Sequence, residues 1–479
     1  MSGFILGGMV IYVAIMLVVG YWSSRRIKGL EDFLVAGRRL PFYLAFATLL
    51  ATWFGAGSCM GASGTAYSQG LRGVISDPFA AGMSLILAGL FYVAFLRRLK
   101  LLTVTDVFGR YYSKNSEIFA SILMVPVYIG WLGSQMVALG YILKILTGME
   151  ATTGIIIGSA IVLLYTFAGG MWAVTLTDFI QVTVIVIGLL TLLPSVFGEV
   201  GGIGALLKST PRELLRIVPS SMGYNDWVTY VGQWTLMGLG CIVGQDLIQR
   251  SLASRDERVA KNSAIAAGLC YIAIGTIPIT LGFAGRLILP GLENPEYLMP
   301  NLAMKFLPPF MLVMFLGALI SAIMSSADSS LLAAASLTTN NIILRLFPNI
   351  KERNFLPLAR AATVILAVIS LVVAMRVQKI YHLMVNSWAT LFVGIFAPVT
   401  FAIYWKKANS YAAWASMILG TGTWLGYILV NTGTFFEISD PLFYRAAAYG
   451  GLVSIASYVL VTFFKSMLDG GTHQAQRVS

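Results

Sequence analysis

Ala51-Thr-Trp-Phe-Gly-Ala-Gly57 interrupts one apolar stretch of the chain, and Gly238-Leu-Gly-Cys-Ile-Val-Gly244 interrupts another. Such breaks in a helix at membrane depth release backbone carbonyls, which must then be satisfied inside the protein. The first interruption lies in the second apolar stretch and the other in the seventh. An offset of five is what two five-helix repeats of opposite topology produce, with stretches two to six forming one repeat and seven to eleven the other. Glycine is frequent in membrane helices, and this chain has 48, so the equal offset carries more weight than either break alone.

The 479 residues are 58% hydrophobic and 11% charged, with a mean hydropathy of +0.82. Soluble domains are about a quarter charged, so this is the composition of a polytopic membrane protein embedded in a lipid bilayer. At about 20 residues per crossing, roughly thirteen stretches are long and apolar enough to span it. They divide into an extra first helix at 3–22, a first inverted repeat at 42–197, a second at 227–404 and two extra helices within 409–465, followed by a short tail at 466–479. The expected fold is therefore all-α, about thirteen transmembrane helices built on a five-plus-five inverted repeat. The first helix has membrane length and no basic segment before it, so it reads as retained and not as a cleaved signal.

A net charge of +12 raises the question of nucleic acid, and its distribution answers it. Of the 32 lysines and arginines, 22 fall in alternate connections: 23–40, 97–116, 249–261, 340–360, 406–407 and the carboxyl tail with Lys465 at its start. The positive-inside rule makes that set cytoplasmic, which places the amino terminus outside and the carboxyl terminus inside the cell membrane. The basic balance is a topology signal and speaks for no nucleic acid. Cys59, Cys241 and Cys270 show no paired spacing, and His382 and His473 are the two histidines, so metal or nucleophilic enzyme chemistry is not expected. No connection is long enough for a nucleotide-binding or kinase domain, and no obligate protein partner is evident.

Ser321-Ala-Ile-Met-Ser-Ser-Ala-Asp-Ser-Ser330 carries six oxygen-bearing side chains inside a stretch otherwise apolar enough to cross the bilayer. Polar groups at that depth are costly and are usually functional. On a helix, Ala322, Ser325 and Ser326 stand at i, i+3 and i+4, so one carbonyl and two hydroxyls face the same way. Oxygens of this kind suit a small hard cation. The alternative is that the serines bond back to their own helix or let neighbouring helices approach closely. Asp178, Asp246 and Asp328 also lie in or at the edge of the apolar stretches, with no Lys or Arg inside those stretches to pair with them. A carboxylate there must be protonated, paired or bound to a cation. Asp178 is expected near the cytoplasmic face, within reach of water, and Asp246 in a salt bridge with Arg250.

Five pieces in order along the chain resemble the sodium/solute symporter family over nearly its full length. They are Gly37-Arg-Arg39, Gly61-Ala-Ser-Gly-Thr-Ala-Tyr-Ser-Gln-Gly70, Gly169-Gly-Met-Trp-Ala-Val-Thr-Leu-Thr-Asp-Phe-Ile-Gln181, Gln249-Arg250 and the serine-rich 321–330 segment. Ala51-Thr-Trp-Phe-Gly55 and Met324-Ser-Ser-Ala-Asp-Ser-Ser330 look nearest the choline-transporter-like branch. The resemblance implies a leucine-transporter-like fold and, instead of an enzyme, a symporter that imports a small organic solute by coupling it to sodium (Na+) through alternating access. It implies a sodium site of the carbonyls of Ala51, Phe54 and Ala322 with the hydroxyls of Ser325 and Ser326, and a possible second site of Asp178, Ser325, Asp328 and Ser329. The solute would meet Trp53, Gly55 and Ser58 at the first break, Trp131 and Gln135 on the fourth stretch, and Gly244 and Gln245 at the second break. Aromatic walls enclose a quaternary ammonium in that branch. Here Trp53 and Trp131 match two of the walls, whereas Gly244 and the small residues at 80–82 leave the others missing. A proton-coupled transporter using Asp178 or Asp328, or a membrane sensor or channel of the same fold, remain as alternatives.

Overall fold

The computed structural model describes residues 2–24, 29–166, 170–433 and 440–475. Among these, regular structure is helical, apart from one isolated bridge between Leu40 and Ser254. Nine helices have the length and hydropathy to cross a bilayer, and the bent pair Phe42–Trp53 and Gly57–Gln69 makes a tenth crossing. The other three expected crossings are helical as well, at Ser2–Ser24, at Ala151–Thr166 and at Tyr224–Gly240 continued by Gln245–Ala253.

Both expected breaks are present. The axis bends by 55° between Phe42–Trp53 and Gly57–Gln69, where Phe54 leaves the helical region at φ −86°, ψ 68°. In the seventh crossing Gly244 is extended at φ −61°, ψ 132° between a short turn and Gln245–Ala253. The long helices start where polar caps allow. Ser113 Oγ accepts from Ser116 N at 3.1 Å ahead of Lys114–Thr147, Asp256 from Val259 N at 2.8 Å ahead of Glu257–Ile288, and Asn409 from Ala412 N at 3.0 Å ahead of Ser410–Thr432. Close packing of helices relies on small residues: a Cβ on Gly268 would come within 2.7 Å of the Gly82 carbonyl oxygen. The first helix is held to the bundle by Tyr12, whose hydroxyl meets Ser321 Oγ. Leu190, Ile365 and Leu452 stand on the outside of the bundle, as a lipid-facing surface requires.

Several expected boundaries move. The ninth crossing runs on as helix from Pro309 to Leu346, past the expected end at 339, because Asn341 stays buried and donates to Glu117 Oε1 and Asp106 Oδ1 at 2.7 Å each. The connection after the sixth crossing holds a helix, Gly202–Ser209, and the expected tail is helical to Ala475. Gly169, which opens the expected 169–181 motif, and the final residues 476–479 lie outside the described residues.

Candidate functional site

The site grows from the first break. Gly55 N donates to Trp53 O at 3.0 Å, and Ala56 N donates to Gln135 Oε1 at 3.0 Å. In an unbroken helix these two N–H groups would serve the carbonyls of Ala51 and Thr52. The break therefore frees those two oxygens, and Ser326 Oγ of the facing helix donates to the Thr52 carbonyl at 2.6 Å. Ser325 Oγ donates to Asp178 Oδ1 at 2.5 Å, and Ser329 Oγ donates to the Ser325 carbonyl at 2.5 Å and meets Thr52 Oγ1 at 2.9 Å. Ala51, Phe54, Ala322, Ser325 and Ser326 are all within 1% of full burial. Of the two hydroxyls anticipated from helix spacing, that of Ser326 meets the first break at the Thr52 carbonyl, and that of Ser325 turns to Asp178. Gly55 is required there, since a Cβ would overlap Ser326 Oγ and come within 3.0 Å of Gln135 Oε1.

Two expectations about the acidic residues are corrected. Asp178 is not at a watery face: it is fully buried, accepts from Thr48 Oγ1 at 2.5 Å, and lies 3.9 Å from the guanidinium of Arg250. An arginine does reach the interior, because the break at Gly244 turns Gln245–Ala253 into the bundle and carries Arg250 with it. That guanidinium also donates to Thr48 Oγ1 at 3.1 Å, to the Asp246 carbonyl at 3.1 Å and to Ser329 Oγ. The Asp246 carboxylate, expected to pair with Arg250, instead accepts from Trp53 Nε1 at 2.7 Å and from Tyr128 OH at 3.2 Å. It sits in the first turn of its half-helix and points back towards the break, away from the turn that bears Arg250. Asp328 Oδ1 accepts from Ser329 Oγ at 3.3 Å, so the four residues of the possible second cation site are together, and Arg250 is among them.

The aromatic residues near the breaks form a cluster that includes rings not singled out from the sequence. Trp388, on the crossing that also contains Ile380–Ser387, packs at centroid distances of 6.0 Å from Trp53, 5.2 Å from Trp131 and 6.1 Å from Tyr128. It fills the space beside Gly244, where an added Cβ would lie 3.2 Å from its ring. Tyr271 closes another side, 6.1 Å from Trp53. Ser58 Oγ reaches Tyr271 OH at 2.6 Å and Asp77 Oδ2 at 2.8 Å. Gln245 Oε1 accepts from Val104 N at 2.8 Å and its main-chain N donates to Tyr128 OH at 2.5 Å, tying the second break to the end of the bundle that bears Asp106. Thr48, Thr52, Asp77, Tyr128, Arg250, Tyr271 and Trp388 were not singled out as site residues from the sequence. Thr48 and Thr52 at i and i+4, and the polar pair Asp77-Pro78 inside an apolar stretch, were the available signals.

The two ends of the bundle differ. At the Asp106 end, Leu40 N donates to Ala253 O at 3.0 Å, Arg97 Nε to Ser254 O at 2.7 Å and Gln249 Nε2 to Leu34 O at 2.7 Å, which ties the segment before the first broken helix to the end of the second. At the Gln69 end a cavity of about 970 Å³ opens between Gly64, Thr65, Glu293, Glu296, Tyr381 and His382.

A bundle with two broken helices, and a serine hydroxyl set against a carbonyl freed by the first break, has the architecture of a secondary transporter. Solved structures agree in fold. A Na+-coupled sialic acid symporter in a substrate-bound outward-open state superposes with a TM-score of 0.78 at 20% identity, covering 96% of this chain and 97% of that one. Mhp1, a nucleobase-cation-symport-1 family transporter, gives 0.56 at 15% identity over 90% and 95%. The model of the sodium:solute symporter family matches residues 33–420, and the chain belongs to that family. Among curated relatives, the high-affinity choline transporter 1 of Caenorhabditis elegans is 26% identical over 89% of this chain and 79% of its own length. The sodium/pantothenate symporter of Haemophilus influenzae is 27% identical over 89% and 90%.

Proposed function

We propose that this protein imports a small organic solute by coupling it to sodium through alternating access, with the amino terminus outside and the carboxyl terminus in the cytoplasm. The observation that carries the reading is the contact of Ser326 Oγ with a carbonyl freed by the first break. Neutral oxygens gathered around a break, in a pocket closed to lipid, are a donor set for a hard monovalent cation. Ala51, Phe54 and Ala322 would supply carbonyls and Ser325 and Ser326 hydroxyls. Asp178, Ser325, Asp328 and Ser329 would form a second position. Two carboxylates against one guanidinium leave that second pocket one charge negative, enough for one cation.

The solute would lie against Trp53, Gly55 and Ser58, with Trp131 and Gln135 on one side and Gly244 and Gln245 on the other. The open cavity at the Gln69 end and the hydrogen-bonded Asp106 end support a cycle in which one side is exposed at a time. The same reading assigns the repeats to 42–197 and 227–404. The relatives carry a cation in one case and pantothenate in another, so family alone does not fix the solute. Replacing Ser326 by Ala removes an oxygen the apolar surroundings cannot replace. The sodium concentration giving half of the maximal response should rise at least tenfold, on the order of 1.4 kcal/mol, with folding intact. An unchanged sodium dependence would remove the site.

A further inference from the structure

Asp77 is 1% exposed, and its two carboxylate oxygens accept from Tyr271 OH at 2.5 Å and Ser58 Oγ at 2.8 Å. No Lys, Arg or His lies within ion-pair distance of it among the described residues. Arg250, the buried cation of this region, is engaged with Thr48, Ser329 and Asp178. Neither sodium position proposed above includes Asp77. Both of its hydroxyl partners also reach the Trp53 carbonyl, Ser58 at 3.2 Å and Tyr271 at 3.1 Å, which ties the carboxylate to the main chain of the first break. On the outer side, Tyr381 lines the cavity and donates to Gly73 O at 3.2 Å, four residues before Asp77. Tyr271, which holds Asp77, also packs on Trp53.

A second, independent feature points to a ligand. Trp388 Nε1, on a residue 3% exposed, has no hydrogen-bond partner among the described residues. A buried N–H donor without an acceptor is unfavourable and marks a place where an acceptor is supplied from elsewhere. The ring that carries it packs against Trp53 and Trp131.

We propose that Asp77, with Ser58 and Tyr271, forms an anionic subsite for a primary or secondary ammonium group of the solute, and that Trp388 Nε1 donates to an oxygen on the same molecule. The solute is then a small amino alcohol or a related amine bearing an oxygen acceptor. This deepens the symporter reading and rests on it for the position of the solute. It differs in consequence from enclosure by aromatic faces alone, which favours a fully methylated cation that offers no N–H. A carboxylate gains most from a donor it can hydrogen-bond directly.

The test uses the purified full chain in nanodiscs with sodium present and follows tryptophan fluorescence while ethanolamine, its N-methyl and N,N-dimethyl derivatives and choline are titrated in turn. Charge and hydroxyl stay constant along this series while N–H donors are removed. Ethanolamine should bind about tenfold tighter than choline, and Asp77→Asn, which keeps the shape and removes the charge, should erase the difference. Ethylamine, without the hydroxyl, should bind more weakly than ethanolamine in the native chain and equally in Trp388→Phe. Choline binding as tightly as ethanolamine, an unchanged ranking in Asp77→Asn, or no binding by any member would each overturn the proposal. The sodium-induced fluorescence change, recorded before any amine is added, tests the ion site separately, so failure of one reading is distinguishable from failure of the other.

Discussion

The guanidinium of Arg250 lies 3.9 Å from the carboxylate of Asp178, and both side chains are wholly buried. They come from different crossings, so the contact ties the second broken helix to Gly170–Val200 and, through Ser325, to the serine-rich helix. A buried ion pair adds little over an apolar replacement, but removal of one partner leaves an uncompensated charge. Arg250→Met should therefore lower stability by about 3–5 kcal/mol, and the double variant Arg250→Met with Asp178→Asn should recover most of it. Thermal unfolding of these two variants and of Asp178→Asn in detergent measures this. Additive losses in the double variant would show that the two groups are not coupled.

Gly55→Ala tests the close approach at the first break. The added methyl would meet Ser326 Oγ and Gln135 Oε1, pushing the serine-rich helix away from the freed carbonyls. Sodium should no longer alter the protein's fluorescence, while melting shifts only by what local overpacking costs, roughly 1–3 kcal/mol. A native sodium response in this variant would mean that the ion does not sit between these two helices.

Trp388 packs against both Trp53 and Trp131. Tetramethylammonium, a cation with neither N–H nor oxygen, reports on such rings without engaging Asp77 directly. Trp388→Leu and Trp53→Leu should each weaken its binding by about 1–2 kcal/mol. Equal binding by the native chain and both variants would make these rings packing residues.

Much of this was legible locally. The breaks at 51–57 and 238–244 and the spacing of Ala322, Ser325 and Ser326 follow from glycine content and helical spacing within single segments, and the structure shows both breaks and sets Ser326 against the first. What was not legible arrives from distant parts of the chain. Tyr271 reaches the Trp53 carbonyl across 218 positions, and Arg250 reaches Thr48 across 202. Local pattern gives no register between crossings, so Arg250 read as a residue at a helix end near water. Trp388 was hidden for the same reason, since an aromatic residue inside an apolar stretch has no local mark that distinguishes a pocket wall from packing.

The cavity at the Gln69 end has a pH-sensitive contact at its rim. Glu296 accepts from Ile380 N at 3.1 Å and Tyr381 N at 2.9 Å, at the start of the Ile380–Ser387 helix. Burial raises its pKa above the ordinary 4.5, and the two backbone N–H bonds only partly oppose this. The folded protein thus holds the proton more tightly than the unfolded chain. Stability from this group is present at low pH and falls as pH rises from the ordinary value through the raised one. Glu296→Gln should flatten that slope in melting temperature against pH. An identical slope in the variant would remove Glu296 as its source.

The central claim is that a sodium gradient drives solute into the cell through this protein. It is tested most directly by uptake of a radiolabelled panel, including ethanolamine, choline and pantothenate, into liposomes holding the purified chain. With an inward sodium gradient at least one compound should accumulate above its external concentration, and a sodium ionophore should abolish the accumulation. Accumulation that persists when potassium replaces sodium, or that follows an imposed proton gradient instead, would contradict the account.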